Sequence, residues 1–223
     1  MKKILILLSI SALVSCGATN NAMTKKYKTT EQYRIFDIQT STPRFEMADF
    51  VSNGIGRTVA DMNESRPIPD GLPLPEKAPR FKVVKQQLTG NMAAFMAMSG
   101  RGAPQTIQCD GAAWVGSAHR PHVGTTGGIS FTACLFPYKN GYHLDFYSVY
   151  TKKEGFTLNP LELGKKLGAS LAGAAGSPEG FVDQTVSETM QFIHDNTDSK
   201  IEFLEGYPKY KGLPWEIKEI AAQ

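Results

Sequence analysis

The sequence predicts an α+β domain in which an antiparallel sheet, built around a β-hairpin and meander, packs against three or more helices. The hairpin follows from two runs rich in aromatic and β-branched residues, 129–138 and 142–150, that flank Asn140-Gly141. Asn-Gly is the preferred dipeptide of a two-residue hairpin turn. The helices follow from segments in which apolar residues recur every three or four positions, the spacing of one helix face.

The strands are predicted from β-prone composition. The run 33–40, YRIFDIQT, indicates a first strand, and 81–88, 106–118 and 200–204 are further candidates. A two-residue Asn-Gly turn fixes the hairpin register, with Leu135 opposite Phe146 and Phe131 opposite Tyr150, so that one face is apolar. The candidate at 106–118 completes the expected meander beside the first hairpin strand.

The first helix is expected to begin at Ser41-Thr42-Pro43, because proline is favoured at the first helical position. Its apolar face comprises Met47, Val51, Ile55, Val59 and Met62. Gly54 and Gly56 mark either a close approach of backbones or a break. Further helices are predicted at 91–99, from Asn159, from Ser177, and at 215–222.

A proline-rich arm, residues 66–80, separates the first helix from the later strands. Its sequence, RPIPDGLPLPEKAPR, contains five prolines and therefore excludes a helix interior or a central strand. An extended, polyproline-like course is expected. Ile68, Leu72 and Leu74 give the arm apolar side chains, which either form a surface for a partner or pack on the domain's own core.

The N-terminal segment has the pattern of an export signal. Lys2 and Lys3 precede an apolar stretch at 4–14 that is too short to span a bilayer comfortably. Leu13-Val14-Ser15-Cys16 followed by Gly17 resembles the lipobox of bacterial lipoproteins. The resemblance covers this segment alone and implies cleavage before Cys16 with acyl chains on its thiol and amine.

The resemblance also implies a location and a division of the chain. In Gram-negative lipoproteins Asp after the lipidated cysteine retains the protein at the inner membrane, so Gly17 favours the periplasmic face of the outer membrane. The expected order is a signal peptide at 1–15, a flexible tether at 16–30, and a single domain at 31–223. No mature transmembrane helix is expected, because no internal stretch is apolar for long enough.

The charge balance excludes one class of partner. The chain has 24 Lys and Arg against 21 Asp and Glu, and removal of Lys2 and Lys3 leaves it close to neutral. A dedicated nucleic-acid binder normally carries a basic face. The sequence therefore predicts no nucleic-acid partner.

Two cysteines, Cys109 and Cys134, remain once Cys16 carries lipid. An even number of cysteines in an oxidising compartment predicts a disulfide. A reactive or metal-binding pair is the alternative, although neither cysteine belongs to a CxxC motif.

Four side chains around the hairpin are candidates for a small-ligand or transition-metal site: His119, His122, His143 and Asp145. Pro121 excludes the helix that normally aligns two histidines, so a solvated loop is the competing interpretation. Clustered Met92, Met96 and Met98 could supply thioether ligands for Cu(I), but such a cluster is also typical of a helix core.

The sequence offers no convincing catalytic motif and no cofactor motif. The segment 168–172 lacks the final glycine and the preceding strand of a nucleophile elbow. We therefore expect a non-catalytic, lipid-anchored envelope protein that binds another envelope component. The alternative is a periplasmic small-ligand or transition-metal-binding protein that uses the histidine-rich loop.

The anchor is tested by replacing Cys16 with Ser. The variant should lose lipid labelling and leave the membrane fraction, because no other membrane anchor is expected. Ser15→Ala, which keeps a small residue before the cleavage site, is the control and should remain labelled. Full retention of Cys16→Ser on salt-washed membranes would contradict the assignment.

Overall fold

The computed structural model describes residues 26–69, 71–85, 87, 89–91, 93–94, 105–121, 125–154 and 177–209. The export signal, Cys16, the helix predicted from Asn159 and the final helix at 215–222 lie outside these residues. Only the first residues of the helix predicted at 91–99 are described. In chain order the elements are β1 (Lys26–Gln39), α1 (Arg44–Gly56), β2 (Asn63–Ser65), β3 (Lys82–Lys85), β4 (Gln105–Gln108), β5 (Trp114–Arg120), β6 (Thr125–Tyr138), β7 (Gly141–Glu154), α2 (Pro178–Asn196) and β8 (Lys200–Tyr207).

Six strands form one sheet in the order β2-β5-β6-β7-β1-β8, and every neighbouring pair is antiparallel. β5, β6 and β7 are consecutive and form a meander, while β1 lies between β7 and β8. β3 and β4 make a separate two-stranded sheet. Lys26–Thr30, the last residues of the segment predicted as tether, belong to β1 and pair with β7.

One face of the sheet packs against both helices. Alternate residues of the long strands, including Phe36, Leu135 and Phe146, point to this face and are fully or almost fully buried. Gly54 of α1 lies against α2, where an added Cβ would come within 3.1 Å of the Thr189 Cα. The glycine therefore permits the close approach of the two helices.

Each helix follows from its sequence pattern. α1 begins directly after Pro43 and buries Met47, Val51 and Ile55. α2 begins at Pro178, and the side chain of Ser177 accepts a hydrogen bond from the Gly180 N–H, as expected of an N-cap. In the described part of the chain, no helix is both long enough and apolar enough to cross a membrane.

A buried ion pair joins α2 to β1, the strand next to the β8 edge of the sheet. The Arg34 guanidinium on β1 lies 3.1 Å from the Asp183 carboxylate of α2, with side-chain exposures of 1% and 14%. The Gln32 amide also donates to Asp183, over 2.7 Å. Arg34 donates further hydrogen bonds to the carbonyls of Tyr33 and Tyr207, at 2.7 and 2.9 Å. β1, β8 and α2 thus meet at one side chain.

The predicted fold class is wrong. The described protein is mostly β, with two helices on the sheet rather than three or more. The strands extend beyond the apolar runs that predicted them: β6 and β7 have 14 residues each. Ladder hydrogen bonds hold polar ends such as Thr125 and Lys152, and composition does not reveal such pairing. The strand predicted at 106–118 is divided between β4 and β5, and α1 ends at Gly56, short of Met62.

The hairpin is present, but its predicted register is shifted by two residues. Leu135 pairs with Leu144 rather than Phe146, and Lys139-Asn140 form the turn. A type I′ turn needs positive φ at both central residues, and neither Lys139 nor Asn140 has it. Gly141 serves another purpose: its φ is 148°, and an added Cβ would lie 2.1 Å from the Ile38 carbonyl oxygen. A shift of two residues keeps the same side chains on the apolar face.

The predicted disulfide between Cys109 and Cys134 is confirmed, with a Cα–Cα distance of 6.0 Å. Cys134 lies on the outer face of the sheet, which we define as the face opposite the helices. Cys109 follows β4 directly. Together with Ala112 and Phe136, the bridge forms a second, smaller core on that outer face.

Removal of the bridge should destabilise the domain. Since 25 residues separate the two cysteines, the chain-entropy relation gives a loss of about 3–4 kcal/mol in the free energy of unfolding. Chemical denaturation of Cys109→Ser/Cys134→Ser in a Cys16→Ser background measures this loss.

Dithiothreitol is the control. It should lower the stability of the parent protein and leave the double variant unchanged. Two titratable thiols in the folded, unreduced parent would contradict the bridge.

Candidate functional site

The proline-rich arm crosses from the helix side of the sheet to its outer face. Near its start, the Arg44 guanidinium donates to the Pro69 carbonyl over 2.7 Å. Farther along, the Lys139 N–H donates to the Pro75 carbonyl over 3.1 Å, and the Lys139 ammonium pairs with Glu76. The arm therefore passes the β6–β7 turn and is bonded to it through Lys139. Its end, at Ala78, packs on the smaller core.

Between the bonds at Pro69 and Pro75, apolar side chains of the arm remain exposed. Leu72 is 50% exposed and Leu74 37% exposed, while Ile68 is half-buried. Leu74 lines a cavity of about 410 Å³ together with Phe45, which is 45% exposed at the start of α1. We call Phe45, Leu72 and Leu74 the apolar arm surface.

Phe45 was not among the residues singled out from the sequence. It lies two positions before Met47 and is therefore out of phase with the apolar stripe of α1. Its ring instead contacts the Arg66 guanidinium, 5.1 Å from the ring centroid. A large aromatic residue outside the stripe of an amphipathic helix is the signal that indicates an exposed apolar position.

Beneath the end of the arm, the outer face carries a polar cluster on β1, β6 and β7. The Tyr138 hydroxyl donates to Asp37 Oδ1 over 2.7 Å, and the Gln39 amide donates to Asp37 Oδ2 over 3.0 Å. Burial, followed by the hydrogen bond to Asp37, raises the pKa of Tyr138. Asp37 thus stays bonded through both carboxylate oxygens.

His143, one of the predicted ligand residues, belongs to this cluster. Its Nε2 lies 3.7 Å from Asp37 Oδ1, and its ring meets the Tyr138 ring edge-on, 5.6 Å between centroids. Burial lowers the pKa of His143; Asp37 opposes that shift and Arg80 adds to it. The imidazole is therefore neutral at neutral pH, and its contact with Asp37 is not an ion pair.

Asp145, a second predicted ligand residue, is completely buried. Its Oδ2 accepts a hydrogen bond from the Phe81 N–H, immediately after the arm, over 3.3 Å. Its Oδ1 has no hydrogen-bond partner among the described residues. Burial raises the pKa of Asp145 to about 7, while the Phe81 N–H and the Arg80 guanidinium pull the pKa down. This carboxyl group therefore holds a proton under conditions in which an ordinary aspartate is ionised.

The structure does not bring His119 together with His143. His119 is exposed on β5 and pairs with Ser130 of β6, whereas His143 pairs with Phe136. Six residues of strand separate these positions, or roughly 20 Å, so the two imidazoles do not share an ion. His122 lies outside the described residues. Within the part of the chain that is described, no group of three or more His, Cys, Asp or Glu residues is arranged to hold a metal ion.

Comparisons with known proteins give no family for the chain. No family model matches it, and no curated protein matches it. One solved structure, the crystal structure of dicamba monooxygenase bound to 3,6-dichlorosalicylic acid, is 12% identical, with a TM-score of 0.19. That alignment covers 76% of this chain and 52% of the other, so this chain spans about half of that protein's length. A likeness this weak carries no argument about fold or function.

Proposed function

We propose that the protein is a lipid-anchored component of the bacterial envelope that is not an enzyme and binds another envelope component through the apolar arm surface. The lipobox-like segment at Cys16 supports the anchor. The exposure of Leu72 and Leu74, on an arm that is fixed at both sides of them, is the observation that carries the binding role.

The fixed course of the arm favours recognition for an energetic reason. Proline restricts the backbone before binding, and the bonds at Pro69 and Pro75 restrict it further. A partner that docks on Leu72 and Leu74 therefore orders little additional chain, which lowers the entropic cost of association. The arm also has a structural part, since Ala78 packs in the smaller core and Ile68 is half-buried.

The proposed anchor keeps this surface near the membrane. β1 begins at Lys26, so nine residues, 17–25, separate it from Cys16. The flexible tether that we propose there would span about 15–18 Å on average. We propose the outer membrane as the site, because Gly17 rather than Asp follows the lipidated cysteine.

The binding role is tested by Leu72→Ser/Leu74→Ser in cells, with a photo-crosslinking residue in place of exposed Lys77. The parent should give a discrete adduct in the membrane fraction, and the double variant should lose most of it. Because Leu72 is 50% exposed and Leu74 37% exposed, the free energy of unfolding should fall by no more than about 2 kcal/mol.

Val83→Ser/Val84→Ser is the matched control. These valines have similar exposures, 44% and 38%, and lie beyond the arm, so the control should keep the adduct. A leucine variant that loses several kcal/mol of stability and keeps its adduct would assign the arm a structural role only.

A further inference from the structure

A buried carboxyl group, that of Asp145, lies where the end of the arm meets the sheet. Asp145 points from β7 to the outer face, is fully buried, and offers one carboxylate oxygen to the Phe81 N–H. Its other oxygen has no partner among the described residues. A buried carboxyl group with a single hydrogen bond is much better tolerated neutral than ionised.

The cover over Asp145 is held more weakly than the surrounding strands. β1, β6 and β7 share continuous ladders on both sides of Asp145. Among the described residues, the arm and Phe81 are held on the outer face by one backbone bond, from Lys139 to Pro75, by the bond from the Phe81 N–H to Asp145, and by two exposed ion pairs, Glu76 with Lys139 and Arg80 with Glu205. The rings of Tyr33 and Tyr147 flank Phe81, at 5.8 and 5.7 Å between centroids. Water can hydrate Asp145 if the arm and Phe81 move away or if the strands separate, and movement of the arm and Phe81 breaks fewer bonds.

We propose that the proline-rich arm and Phe81 form a pH-sensitive cover of the outer face, closed while Asp145 carries a proton and released when Asp145 ionises. The release itself does not depend on the proposed function. Its consequence for a partner does, since movement of the arm displaces Leu72 and Leu74.

The charges around Asp145 either favour or oppose its ionisation. Arg80 at the end of the arm favours the ionised carboxylate, and Glu205 on β8 opposes ionisation. These two side chains also pair with each other over 2.9 Å. The other titratable groups described on this face include Asp37, Glu31 and Tyr33 on β1, Tyr138 on β6, His143 and Tyr147 on β7, and Tyr207 on β8. His143, with its pKa lowered by burial, contributes no positive charge near neutral pH.

The closed state retains the Asp145 proton up to a pH of about 7, whereas a hydrated aspartate releases it near pH 4. Closure is therefore favoured at acidic pH and weakens progressively as the pH rises from about 4 to about 7. Between pH 5 and pH 8 the opening equilibrium should increase roughly 10- to 100-fold, and it should be constant at higher pH.

Hydrogen exchange of the Phe81 amide measures this equilibrium directly, because that N–H is bonded to Asp145. After correction for the intrinsic exchange rate, its protection in the wild-type protein should fall roughly 10- to 100-fold from pH 5 to pH 8. Amides of β6 and β7 should keep their protection, which distinguishes local release from unfolding. The measurement needs no partner, so a failure of the proposed function leaves it interpretable.

Asp145→Asn removes the ionisation and should make Phe81 protection independent of pH. Asp37→Asn, the same change at another buried carboxylate of this face, is the matched control and should retain the pH dependence. Arg80→Met should move the midpoint to higher pH, and this variant decides the matter if Asp145→Asn does not fold. Constant protection in the wild-type protein, a pH-dependent Asp145→Asn, or an unmoved midpoint in Arg80→Met would each overturn the proposal.

Discussion

A guanidinium group buried between the sheet and the second helix is the constraint on which the architecture depends. Arg34 cannot be left without partners once it is removed from water, because an unpaired buried charge costs several kcal/mol. Asp183 and the carbonyls of Tyr33 and Tyr207 satisfy it, and each belongs to a different part of the fold. Burial raises the pKa of Asp183, while Arg34 and Gln32 counteract that shift. The position of α2 over β1 and the pairing of β8 therefore depend on one another.

The two faces of the sheet are stabilised by different means. The helix face is mostly apolar, with buried polar side chains at the Arg34 site and at Ser148, Thr185 and Thr189, and close packing of α1 on α2 at Gly54 completes it. The outer face is covered by the arm, by Phe81 and by the disulfide-linked core, with the polar residues Asp37, His143 and Asp145 beneath. The disulfide-linked core and a small number of bonds, to Lys139 and to Asp145, hold the proline-rich arm and Phe81 over this face. This division places the exposed leucines on the arm, and the segment that ends the arm covers the buried carboxyl group of Asp145 on β7.

Much of the local structure was accessible from the sequence. The helix starts next to Pro43 and at Pro178, the hairpin, and the Cys109–Cys134 bridge follow from local chemistry or from counting residues. The hairpin register was not accessible from the sequence. Gly141 is required by its close approach to Ile38 on the neighbouring strand, and it is not a central residue of the turn. In the part of the chain that the structure describes, two helices rather than three or more lie on the sheet, since periodicity indicates a helix but not how the helices and strands pack.

The candidate site was only partly predictable. Composition identified the proline-rich arm, but it could not show that Leu72 remains exposed while Ile68 is half-buried. The histidines were grouped by sequence proximity, although β6 separates His119 from His143 along its length. Arg34 had a visible signal, because it shares the alternation of Phe36 and Ile38 in the first strand. Its partner in α2, 149 residues away, had none.

A double-mutant cycle on Arg34→Met and Asp183→Asn tests this account most directly, with the free energy of unfolding as the measured quantity. Each single variant should lose about 3–5 kcal/mol, and the coupling energy should exceed about 1.5 kcal/mol. The exposed pair Arg66 and Asp49 is the control and should couple by less than about 1 kcal/mol. Additive losses at Arg34 and Asp183, with coupling no larger than in the control, would contradict the central role of the buried pair.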